Sequence, residues 1–147
     1  MKICLFLLAL FTINLSAQTD YQKFFTDECL RIHYYHYGNR NEEEVIQGEL
    51  YRDSLWAGSR VNLIDTLNLG AYLIKVSDLA SNSLIYSYGF STLFDEWRTT
   101  DEAIDGNSKI IEEVVRIPFP RDKVLIEYFK RDKQNHFTRI IGRNGKI

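Results

Sequence analysis

Leu84-Ile85-Tyr86-Ser87-Tyr88-Gly89-Phe90 decides the fold of this chain. Leu84, Tyr86, Tyr88 and Phe90 fall on one side of an extended backbone, and Ile85, Ser87 and Gly89 on the other. A period of two carried by aromatic and β-branched residues marks a half-buried strand. Just upstream, Ala71-Tyr72-Leu73-Ile74-Lys75-Val76 reads as another strand, and residues 78–83 between the two are polar turn chemistry.

The same grammar extends outward in both directions. Leu30 to Tyr37 is rich in strand formers (Ile32, Tyr34, Tyr35, Tyr37) and runs into the turn cluster Gly38-Asn39-Arg40-Asn41. Val45 to Leu55 is expected as a strand broken at Gly48. Lys109 to Ile117 is expected to end at Pro118, which lacks the next donor. Val124 to Lys130 alternates again, residues 132–135 turn the chain, and His136 to Ile141 is the last strand. Asp101-Glu102-Ala103 is expected as a short helical turn capped by Thr99 or Thr100. Gly142-Arg143-Asn144-Gly145 carries hairpin chemistry near the C-terminus. Short strands separated by turns, with no alternating helices, imply an all-β fold: a two-sheet antiparallel β-sandwich, jelly-roll-like or irregular immunoglobulin-like.

The chain has 147 residues and a formal net charge of −2. Near-neutral charge leaves no electrostatic footprint for nucleic acid. Met1-Lys2, the apolar run from Ile3 to Leu15 and the small residues Ser16-Ala17 read as a secretory signal peptide over residues 1–17, too short to span a bilayer. The expectation is therefore a secreted, periplasmic or cell-surface protein with no membrane anchor after cleavage. Residues 19–147, free of linkers and repeats, are assigned to one β-sandwich domain. Cys29 is the one cysteine outside the leader, so an internal disulfide is excluded there. A buried small hydrophobe is the expected role for it, since its neighbours Asp27 and Glu28 disfavour a thiolate.

No catalytic constellation is visible. A His-Glu-x-x-His zinc helix is absent. His33 and His36 point to opposite faces of a strand, and His36 is expected to be half-buried and hydrogen-bonded. No Gly-x-Ser-x-Gly elbow occurs. Glu42-Glu43-Glu44 reads as a solvated run. Catalytic residues, metal ligands and cofactors are accordingly not expected.

Two tryptophan blocks carry the remaining chemistry: Trp56-Ala57-Gly58-Ser59-Arg60, and Gly89 to Trp97 followed by Arg98. Large aromatics beside glycine, serine and charge suit a sheet corner or a ligand face. Flat aromatic and planar cationic side chains dominate binding hot spots and stack on sugars. Phe94, Trp97, Arg98, Trp56 and Arg60 are the candidate binding residues, with Trp97 and Arg98 expected at the surface.

Longer patterns surround these blocks. They are Tyr21 with Phe24-Phe25-Thr26-Asp27, then Tyr34 to Asn39, Trp56 to Asp65, Asn68 to Gly70, Ile85 to Ser91, Glu96-Trp97, Val115 to Pro120, and Lys130-Arg131-Asp132. Together they resemble the N-terminal domain of the IgA-peptidase family of secreted Bacteroidetes zinc metallopeptidases, over nearly the whole chain after the leader. The resemblance implies a β-sandwich placed before a zinc peptidase domain. The family's zinc helix belongs to that downstream domain, so no catalytic residue carries over to this sequence.

The expected function is thus a secreted, non-catalytic accessory module. Its expected partners are a zinc peptidase domain or that enzyme's protein or glycoprotein substrate. A truncated remnant of such a peptidase, without activity of its own, is one alternative, and a glycan-binding module is another.

Overall fold

The computed structural model describes residues 19–141. The proposed leader and the turn at Gly142-Arg143-Asn144-Gly145 lie outside the described residues. A four-residue helix, α1 (Tyr21–Phe24), leads into β1 (Phe25–Gly38) and β2 (Glu43–Asp53). A long connection precedes the hairpin β3 (Tyr72–Asp78) and β4 (Leu84–Phe90). Two short helices follow, α2 (Leu93–Trp97) and α3 (Asp101–Ile104). β5 (Lys109–Pro120), β6 (Val124–Arg131) and β7 (Phe137–Ile141) complete the described chain.

All strand pairings are antiparallel. They form a three-stranded sheet, β2-β1-β5, and a four-stranded sheet, β4-β3-β6-β7. The expected two-sheet sandwich is what the chain forms. Its four-stranded layer has the order of an immunoglobulin-type G-F-C-C′ layer. The three-stranded layer departs from that pattern, because β1, not β2, is central.

Between the sheets lies a core of Phe25, Leu30, Ile32, Ile74, Ile117 and Val124, each almost fully buried. Each such side chain contributes on the order of 1.5–3 kcal/mol by leaving water. Phe25 meets the Tyr86 ring edge-on across the layers, with centroids 6.3 Å apart. Cys29 is buried here as well, and burial raises its thiol pKa, as expected for an inert packing residue.

Three irregularities correct the simple alternating pattern. Gly48 does not break β2. Ile32 pairs with Leu50 and Tyr34 with Gln47, so Gly48 and Glu49 together oppose His33 as a β-bulge. The glycine is needed there, since a Cβ would sit 2.9 Å from the Tyr35 ring and 3.1 Å from the His33 carbonyl oxygen. Pro118 does not end β5, which runs to Pro120 as an edge strand, the place where a sheet tolerates proline. In β4 a second bulge falls at Ile85, because Val76 pairs with Tyr86 and Ser77 with Leu84. That extra residue lets Ile85 and Tyr86, neighbours in sequence, both enter the interior.

Candidate functional site

The segment from Gly89 to Thr100 is not an open contact loop. Thr92 caps α2 by accepting a hydrogen bond from the Asp95 N–H at 3.1 Å. Thr92-Leu93-Phe94-Asp95 is thus a capping signature legible in the sequence. One turn of helix turns Phe94 and Trp97 inward together. They pack with Ala103 and Ile111 in a small second core, and Trp97 is only 7% exposed. Its indole N–H donates to Glu102 at 2.9 Å. The expected surface position of Trp97 is therefore corrected: helical spacing, not strand spacing, governs this stretch. Thr100 occupies the N-cap of α3, but its hydroxyl donates to the Trp97 carbonyl instead of capping.

Arg98, partly exposed, reaches back to the β1–β2 turn. Its guanidinium donates to the Arg40 carbonyl from Nη2 at 2.6 Å and to Glu43 Oε2 from Nη1 at 3.0 Å. Glu43 is the middle residue of the acidic run that was expected to be solvated. As β2 begins, alternation keeps Glu42 and Glu44 outward and turns Glu43 in. It accepts from the Tyr72 hydroxyl at 2.8 Å and pairs with Lys130.

His36 sits at the centre of this interior network and is fully buried, not half-buried. Its Nδ1 lies 2.8 Å from Glu113 Oε2, and its Nε2 lies 3.3 Å from Glu43 Oε1. Phe94 stacks on the imidazole with centroids 4.9 Å apart, and the Phe94 N–H donates to Glu113 Oε1 at 3.0 Å. Burial opposes the imidazolium, but the hydrogen bond to Glu113 and the nearby Glu43 carboxylate outweigh it and raise the His36 pKa. Burial likewise opposes ionisation of Glu43. The neighbouring His36 and hydrogen bonds from Lys130 and Tyr72 overcome that and lower its pKa to about 2. Glu113 is lowered against the same burial penalty by His36, the Phe94 N–H and Tyr34. The network joins β1, β2 and β5 of one sheet to β3 and β6 of the other, with α2 laid across. No cluster of three or more His, Cys, Asp or Glu side chains placed to hold a metal ion occurs among the described residues.

Trp56 and Arg60 form a separate corner. The Trp56 backbone N–H donates to the Asp27 carbonyl at 2.7 Å, and its indole N–H donates to the Ser59 carbonyl at 3.0 Å. The ring folds over Gly58, where a Cβ would overlap it, and meets Tyr86 edge-on at 6.2 Å. Arg60 donates from Nε to Asp27 Oδ1 at 3.0 Å and covers Tyr21. This block fixes the sandwich, as one of its two readings anticipates.

One accessible feature is a groove of about 1130 Å³ along the open side of the sandwich. Residues 112–116 of β5 form one wall, residues 86–90 of β4 the other, and the long β2–β3 connection the rim. The edge of β4 is capped by that connection: the Ser87 N–H donates to the Leu63 carbonyl at 2.9 Å. Asn62, Asn68 and Gly70 turn the connection with positive φ. The turns leave Leu55, Leu67 and Leu69 exposed around the groove, joined by Leu93 and Tyr88. Leu67 is 74% exposed. Leu55, Leu67 and Leu69 do not stand out in the sequence, because the connection has no strand period to interrupt. Of the five candidate binding residues, Trp56 alone lines the groove. Phe94, Trp97 and Arg98 gather around α2, and Arg60 stays at its corner.

Residues 20–141 match the family model described as Peptidase M64 N-terminus. No curated protein matches the chain.

Proposed function

The chain belongs to the family of peptidase M64 N-terminal domains, and on that premise we propose that it is a secreted, non-catalytic module that docks against a peptidase domain of that family. One observation carries the reading: exposed leucines at positions 55, 67, 69 and 93 ring the open side of the sandwich. Large apolar side chains gathered at one site mark contact with another protein surface. The interior polar network supports the same role, since it is spent on fixing the two sheets and α2. Trp97 packs inside the second core, away from the groove, which leaves a glycan-binding module without that stacking face.

The test is calorimetric titration of the full chain with a separately expressed peptidase domain from a family member that carries both parts. Saturable binding, weakened about tenfold or more by Leu67→Lys together with Leu93→Lys, is the expected result. Absence of binding, or binding indifferent to both substitutions, overturns the reading.

A further inference from the structure

Residues 112–116 of β5, which wall the groove below the leucine rim, also belong to a long open strand edge. On its inner side β5 pairs with β1 continuously from Lys109 to Pro118. On its outer side no strand lies beside it, and no backbone hydrogen bond from residues 109–117 leaves the β1 ladder among the described residues. An open edge of this length is a template for another strand. Pro118 and Pro120 lack N–H groups, so the fully donating part of the edge ends at Ile117.

The register with β1 assigns the faces of β5. Ile111, Glu113, Val115 and Ile117 oppose the inward residues His36, Tyr34, Ile32 and Leu30. Ile110, Glu112, Val114 and Arg116 therefore share the outer face. Glu112 Oε1 accepts from His33 Nδ1 at 2.6 Å, while its Oε2 has no partner among the described residues. Arg116 is exposed and forms no salt bridge among the described residues.

We propose that two copies of this chain associate by pairing β5 with β5 antiparallel about a two-fold axis at Val114. Parity and charge select this register. Opposite residues in an antiparallel pair share a face, so an axis falling between two residues would set inner side chains against outer ones. An axis at Glu112 or Glu113 would oppose two carboxylates. An axis at Val115 would leave Glu112 opposite Pro118 and Arg116 opposite Val114. The axis at Val114 places Glu112 against Arg116 of the second copy, twice by symmetry, with the two Val114 side chains meeting between them. Cross-strand opposite charges stabilise a pair, and like charges destabilise it. Charges of one sign would repel a second copy; opposite charges at symmetric positions make the edge self-complementary. The two three-stranded sheets then become one continuous sheet.

Sedimentation velocity on the full chain over a range of concentrations tests this. A monomer–dimer equilibrium is expected. Glu112→Arg and Arg116→Glu each weaken the dimer about tenfold or more, and the combined variant restores it. Val114→Lys, which sets two ammonium groups on the axis, also yields monomer. Circular dichroism establishes that each variant is folded, and Val114→Lys serves if a charge variant is not. A chain that stays monomeric up to its solubility limit overturns the proposal. So does a dimer indifferent to the substitutions, or a folded combined variant that fails to reassociate.

Discussion

His36 Nδ1 and Glu113 Oε2 stand 2.8 Å apart inside the sandwich, on neighbouring strands, with the stacked Phe94 ring sealing the pair. Glu43 and Lys130 continue the chain of charges on the far side of the imidazole. An interior ion pair of this kind contributes specificity more than net stability, but breaking it strands a buried charge. Its protonation therefore links the stability of the fold to pH.

Stability should peak between about pH 4.5 and pH 6.5. The His36 pKa is raised above its ordinary 6.5, so the contribution of the imidazolium is complete below that pH and is lost as pH rises through the folded value. Glu43 and Glu113 are lowered from 4.5. Their contribution is present above 4.5 and is lost as pH falls through the folded values, about 2 for Glu43. Urea midpoints measured in steps of pH should trace this dome, and His36→Gln should flatten its alkaline limb. A midpoint unchanged on going from the dome to pH 8 contradicts the assignment.

Glu113→Ala removes the acceptor of both His36 and the Phe94 N–H. The loss should cost about 3–5 kcal/mol, the range for stranding a buried partner. Chemical denaturation reads it directly, and near-ultraviolet dichroism should report the release of Phe94 and Trp97.

Thr92→Ala deletes the cap of α2 and should cost about 1 kcal/mol. Thr92→Ser keeps the hydroxyl and should recover most of it. Equal losses from the two substitutions would place the role of Thr92 elsewhere.

Gly48→Val fills the bulge opposite His33 against the Tyr35 ring and the His33 carbonyl. Overpacking there should destabilise by about 1–3 kcal/mol. Unchanged thermal stability would mean that β2 slides to a regular register.

The strands were legible because their signal is local. Leu84 to Phe90 is a strand with the bounds its alternation gives, and β6 differs from its expected span by one residue. The opposite faces of His33 and His36 followed from parity alone. Bulges were not legible, since Gly48 and Ile85 satisfy their own chain and acquire meaning only from the facing strand. The network around His36 was invisible for a related reason: Glu43, Glu113 and Lys130 come from three strands, and each looks like a solvated charge in its own neighbourhood. Tryptophan drew attention to the right segments and the wrong surface. Trp97 marks where the interior closes, and the exposed leucines of the β2–β3 connection carry no pattern.

The central position of β1 has a kinetic consequence. Its partner on one side, β2, is the next strand along and can pair as soon as the short turn at residues 39–42 forms. Its partner on the other side is β5, and His36 and Glu113 are 77 residues apart. Contacts over such separations form late, because loop closure precedes any gain from them. Until β5 arrives, one flank of β1 stays bare and His36 lacks Glu113, with Glu43 of β2 its one carboxylate neighbour. Refolding should then show an early hairpin phase and a slower phase reported by Phe94 and Trp97. Any chaperone or neighbouring chain that holds β1 in the interval competes for the place of β5.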